Sequence, residues 1–155
     1  ELLVVTSGKL AAEREAARER FSKFLNEFEL YVNMLVRANG YLDDALVEIE
    51  KGKDTSAFIL LNQGKVLFEE VNVRALDLLN TRTEERYKDR VRTLLESGAS
   101  FVNASRSFGS AVFYVGKATQ EDAQKFTELL NGGTAAQHEA LQLMGEVRDF
   151  IQASR

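Results

Sequence analysis

ARERFSKFLNEFELYVNMLVRANGYLDDALVEI, residues 17–49, decides the fold class. Its apolar residues Ala17, Phe21, Phe24, Phe28, Tyr31, Leu35, Ala38, Leu42, Ala45 and Ile49 follow one another at alternating spacings of four and three. That rhythm keeps one stripe of a helix facing one direction, which is the heptad seam of packed long helices. The stripe keeps its phase through Asn39-Gly40, a pair that alone reads as a turn, so Gly40 is read as an interior helical glycine.

Working outward, the residues before the stripe are strong helix formers, with Thr6 or Ser7 as the expected N-cap, so the first helix is predicted over about 8–51, roughly 65 Å long. Gly52 stands where a left-handed residue ends a helix, and Asp54 or Thr55 follows as the next expected cap, giving a tight antiparallel reversal. A second stripe, Ala57, Leu61, Gly64, Phe68, Val71, Ala75 and Leu78, predicts a helix over about 54–80. It fails between Asn80 and Asp89, where Tyr87 is the one large apolar side chain and Thr81 with Glu84 has capping-box form, so a break is expected at 80–82. The third helix, about 82–116, carries Tyr87, Val91, Leu94, Gly98, Phe101, Ser105, Phe108, Val112 and Val115; small residues at 98 and 105 invite a close neighbour. An alternative joins helices two and three into one rod ending near Gly98. Thr119 with Asp122 is the clearest capping box, opening a helix over about 120–154 whose stripe passes through Gly132-Gly133, either a kink or a break.

These elements predict an all-α, antiparallel up-down four-helix bundle with long helices, one domain over 1–155. Helices three and four match at about 35 residues, and helix one overhangs helix two. Zero prolines among 155 residues agrees with few loops, and the length suffices for one core burying roughly 70% of the unfolded surface.

Composition bounds the function. With 20 basic and 24 acidic residues, net charge −4, there is no electrostatic footprint for nucleic acid. The densest basic stretch, Arg82 to Arg92, also holds Glu84, Glu85 and Asp89 and reads as a solvated face. Without cysteine the chain has neither disulfides nor thiolate ligands, which leaves its compartment undetermined. No apolar run reaches the roughly 18 residues of a membrane span, so any membrane link would lie in segments outside 1–155. The start at Glu1 suggests a processed or trimmed piece, with Leu2–Val5 either capping the bundle or left from a preceding membrane segment.

Each candidate chemistry meets a plainer reading. Carboxylate di-iron bundles need two Glu-x-x-His pairs; this chain has one histidine, His138, and Ala135 stands three before it. Met34 and His138 as haem ligands read better as residues flanking the seam. Gly109 to Gly116 lacks the phosphate-loop spacing, and Lys117 is a cation near a helix C-terminus. Glu69 and Glu70, adjacent on a helix, point about 100° apart. Asn103-Ala104-Ser105 has the glycosylation pattern but falls inside a helix. Arg37, Arg74 and Arg106 would suit a carboxylate ligand, yet arginines flanking a seam usually cover it with their stems. Catalytic, cofactor-binding and metal-ligating residues are therefore all expected to be absent. The aromatic series Phe21, Phe24, Phe28, Tyr31 fills the core; where helix one overhangs, part of that stripe would need a second chain, a homodimer or a partner helix.

The predicted architecture is similar to the extracytoplasmic four-helix sensor domains of chemoreceptor-like proteins, which lie between two membrane spans and dimerise through a long first helix. No residue motif carries that likeness; it implies an extracytoplasmic location and a sensing role. The expectation is a non-enzymatic binding module, ligand-sensing or partner-docking, with a structural or assembly domain of a larger coiled-coil or membrane-anchored protein as the alternative.

Overall fold

The structure, a computed structural model, describes residues 2–155, with side chains from Thr6 onward. Four helices account for nearly all of it: α1 (Leu2–Glu50), α2 (Asp54–Thr81), α3 (Lys88–Val112) and α4 (Gln120–Ser154), with a single 3-10 turn, Glu85–Tyr87, before α3. Each packs antiparallel along its sequence neighbour, and α1 meets α4 more sparsely, which closes an up-down-up-down bundle.

The predicted stripes are the core. Phe24, Phe28, Tyr31, Leu35, Ala38, Leu42, Ala45 and Ile49 of α1 are buried, Phe21 lies at the margin, and every α2 stripe residue from Ala57 to Leu78 is buried. Phe28, Phe68, Phe101 and Phe108 are wholly enclosed, each contributing about 1.5–3 kcal/mol relative to exposure. Phe68 and Phe101 stack with centroids 4.7 Å apart, joining α2 to α3. Polar side chains fix register between helices. Ser97 donates to the Ala140 carbonyl at 2.8 Å, Ser107 to that of Leu129 at 2.7 Å, and Gln137 Nε2 to Asn39 Oδ1 at 2.7 Å and Asp43 Oδ1 at 2.8 Å.

The glycines behave as spacers. Gly40 is helical, as predicted, and Gly132-Gly133 neither kinks into a loop nor breaks α4. A Cβ on Gly133 would stand 2.4 Å from Cε1 of the enclosed Phe108 ring, so this glycine sets how closely α3 and α4 approach. Gly98 likewise receives the Asn72 side chain. Gly52, at φ +74°, ends α1 with the Gly52 amide donating to Ile49 and the Lys53 amide to Glu48, the paired bonds of a Schellman motif.

Helix ends differ from expectation, for identifiable reasons. Thr6 and Ser7 do not cap α1, which already runs from Leu2; no breaker separates 2–5 from the helix formers that follow. The side chains of Leu2–Val5, expected either to cap the bundle or to continue a membrane segment, lie outside the described residues. Neither Asp54 nor Thr55 is the N-cap of α2: Lys53 occupies that position without a side-chain bond, and the Asp54 carboxylate accepts from the Thr55 amide at 2.8 Å. Thr81 and Glu84 form no capping box. The Thr81 hydroxyl donates to the Asp77 carbonyl at 2.7 Å and Thr83 to that of Leu78 at 2.6 Å, the latter shared with the Arg82 amide, so both side chains bond back onto the end of α2. Hence α3 begins at Lys88 instead of 82, and α2 and α3 are not one rod. At its far end α3 stops at Val112, because Tyr114 and Val115 bond three residues back and Gly116 turns left-handed. It is 25 residues long against 35 for α4, not the matched pair expected. Thr119 does cap α4, accepting from the Asp122 amide at 3.1 Å.

The overhang of α1 is real. From Thr6 to Glu15 every side chain is exposed, and Leu2 to Arg20 extends roughly 28 Å past the bundle as a stem. The aromatic stripe is not part of it: Phe24, Phe28 and Tyr31 are covered within the chain, and residues 11–20 of the stem are all Ala, Glu and Arg. The C-terminus lies at the same pole, where Arg155 pairs with Glu29 and donates to Asn26 at 3.1 Å.

Candidate functional site: an aromatic crevice where the first helix leaves the bundle

α2 stops at Thr81, one turn short of covering Phe21 and Phe24 on α1. The 3-10 turn supplies the cover. It swings Tyr87 onto Phe21 with centroids 4.9 Å apart and onto Phe24 at 5.6 Å, and Phe150 of α4 closes behind at 5.9 Å from Tyr87. The fit is incomplete. A crevice of about 290 Å³ remains between Arg20, Phe21, Phe24 and the segment Thr81–Glu84 with Tyr87, and a second lobe of about 330 Å³ extends to Lys23, Glu27 and Leu78. Both lobes share Arg20, Phe24, Thr81 and Arg82, so they form one cleft at the root of the stem.

Its charges divide into two sets. Arg82 is committed: its guanidinium pairs with Glu27 and, at 3.4 Å, with Asp77. Tyr31 donates to the same Glu27 at 3.3 Å. Burial, together with the Glu27 charge, raises the Tyr31 phenol above its ordinary pKa, and the hydrogen bond with Glu27 raises that of Arg82. Arg20 and Lys23 on the rim make no ion pair among the described residues. Cations beside an aromatic wall can hold a carboxylate whose apolar part lies on the rings.

The arginines singled out from sequence are elsewhere and apart. Arg74 pairs with Glu70 at 2.7 Å, while Arg37 and Arg106 are exposed on α1 and α3. Met34 is half-buried and His138 exposed. Glu69 turns to Lys65 and Glu70 to Arg74, on different sides of the helix. In the basic stretch, Arg86 lies 4.8 Å over the Tyr87 ring and Arg90 5.1 Å over Phe150, while Lys88 and Arg92 pair with Glu85 and Asp89. Lys117 lies 5.5 Å over Tyr114, and Asn103 is exposed with Ser105 buried beneath it. No cluster of three or more potential metal-ligating side chains occurs among the described residues, and no described helix is long and apolar enough to cross a membrane.

Sequence reasoning missed the crevice because its halves are far apart in the chain. The signal was local on each side: basic residues Arg20 and Lys23 interleaved with Phe21 and Phe24, and a lone Tyr87 in an otherwise polar stretch. Nothing in either half announces the other. Comparison with protein-family models, with curated proteins and with solved structures finds no match.

Proposed function

We propose that this chain is a non-enzymatic binding module that senses a small organic acid with an aromatic or aliphatic body, taken up in the crevice at the root of α1. The observation that carries the reading is the pair of cations, Arg20 and Lys23, that make no ion pair among the described residues and stand beside the wall of Phe21, Phe24 and Tyr87. A ligand there would touch α1 where it becomes the stem and the turn that joins α2 to α3, so occupancy would bias the stem's attachment to the bundle. The resemblance to sensor bundles points the same way, at fold level alone.

Calorimetry with 3-phenylpropionate, and with its neutral amide as control, tests the idea. The acid is expected to bind and to raise the melting temperature, since a ligand that binds only the folded state stabilises it. The amide should bind more weakly. Arg20→Ala and Lys23→Ala should each weaken the acid by about 2–10-fold, the range for one exposed to partly desolvated charge contact, with the helical circular dichroism unchanged. Absence of heat and of a thermal shift at millimolar acid would sink the proposal.

A second reading, an assembly element of a larger protein, is favoured by the stem itself. Under it, removing residues 2–15 would dissolve an oligomer that the Arg20 and Lys23 variants leave intact.

A further inference from the structure

α2 carries a second apolar row that the core does not use. Ile59, Val66 and Val73 repeat every seven residues on the side away from Ala57, Leu61, Phe68 and Ala75, and they are 53%, 62% and 71% exposed; Leu76 beside them is 50% exposed. The row is roughly 26 Å long at the helical rise. At the loop pole it runs into a groove of about 630 Å³ where Ile59 meets Phe58 and Phe113. Scattered exposed hydrophobics are ordinary, but three β-branched residues at heptad spacing, with Asn62-Gln63 and Glu69-Glu70 between them, repeat on one face as a helix-packing stripe does.

We propose that the cover is a second copy of this chain, its α2 packed antiparallel on the first about a two-fold axis at Val66. The flanking residues select both the partner and the direction. In the antiparallel arrangement Val66 meets its own copy and Ile59 meets Val73. Residues on the α3 side of the row then meet the same side of the other copy, which sets Glu69 against Asn62. On the α1 side Glu70 meets Gln63 and Asp77 meets Ser56. Every carboxylate at the seam thus faces an amide or hydroxyl able to donate to it, while Lys65 and Arg74 hold Glu69 and Glu70 from their own chain at 3.9 and 2.7 Å. No carboxylates are opposed. A parallel pairing reverses the flanks and drives Glu69 against Glu70 of the other copy twice over, with Leu76 against Asp77. Like-charge juxtaposition of that kind selects against a register.

The surface is independent of the crevice, so either proposal stands without the other. Since the chain lacks cysteine, single-cysteine variants report geometry cleanly. The full chain is expected to scatter light as a dimer at micromolar concentration. With a short bis-maleimide, Val66→Cys should cross-link to itself and Ile59→Cys to Val73→Cys, while Ile59→Cys alone should not. The double variant Val66→Lys/Val73→Lys changes exposed positions only; it should keep its circular dichroism and raise the dissociation constant about tenfold or more. A monomer at several hundred micromolar, efficient self-linking of Ile59→Cys, or a dimer unaffected by the double lysine variant would each overturn the proposal.

Discussion

At the scale of single residues, two glycines that look alike in sequence have opposite consequences. Gly40 and Gly133 both sit inside helices, where glycine costs up to about 1 kcal/mol relative to alanine. Nothing lies within 4 Å of a Cβ built on Gly40, so Gly40→Ala is expected to stabilise by about 0.5–1 kcal/mol. On Gly133 the same atom enters the Phe108 ring, whose burial leaves it nowhere to move, and the strain of about 1–3 kcal/mol outweighs the helical gain. Urea titration of the two variants checks the signs; equal shifts in midpoint would contradict the close approach of α3 and α4. Tyr31 offers a second test. Its phenol is held neutral above its usual range by burial and by Glu27, whereas in the unfolded chain it ionises near pH 10. A raised folded-state pKa leaves its stabilising contribution whole below pH 10 and removes it progressively as pH climbs toward the folded value. Absorbance at 295 nm should therefore show one late-titrating tyrosine, lost in Tyr31→Phe. The sequence marked Tyr31 as core from its place in the stripe, but its coupling to Glu27 and Arg82 depends on a partner 55 residues from Glu27 and was not legible.

Among the helices, the interiors were readable and the ends were not. Each predicted stripe from Phe24 to Leu78 is buried because heptad spacing acts at every turn and accumulates along a helix. An end rests on one or two hydrogen bonds, and the same threonine serves either side of a junction. Thr81 and Thr83 bond back to α2, whereas Thr119, with Gly116 behind it, bonds forward to α4. The stem is the element where local propensity acts almost alone. Its Ala, Glu and Arg residues favour helix, and Arg18 lies 3.6 Å from Glu15, but an exposed pair contributes little. Deleting residues 2–15 should lower the ellipticity in proportion to the helix removed while moving the urea midpoint by no more than the equivalent of about 0.5 kcal/mol, as for surface changes generally. A large loss of stability would mean that the stem packs on the bundle.

For the molecule as a whole, stability should be distributed unevenly, and the pattern follows from which helices share a seam. α2 and α3 lie between neighbours and hold Phe68, Phe101, Leu78, Val91 and Leu94 wholly or almost wholly enclosed. α4 has no buried residue before Gly133, and α1 and α4 meet sparsely, held by Gln137 on Asn39 and Asp43 and by Arg155 on Glu29. α4 is therefore packed closely on α3 and only sparsely on α1, and its first part, before Gly133, adds nothing fully buried to the core. Amide hydrogen exchange reports local opening free energy, so protection should be greatest around residues 64–78 and 94–105 and least in the stem and in 120–131, although all are helical. Gln137→Ala removes the donor bridging Asn39 and Asp43 while leaving α3 untouched. It should accelerate exchange through 133–147 by about 3–10-fold, as for the loss of roughly 1 kcal/mol from one partly buried polar bridge, and leave 94–105 at wild-type rates. Uniform acceleration over all four helices would show instead that the bundle opens only as a unit.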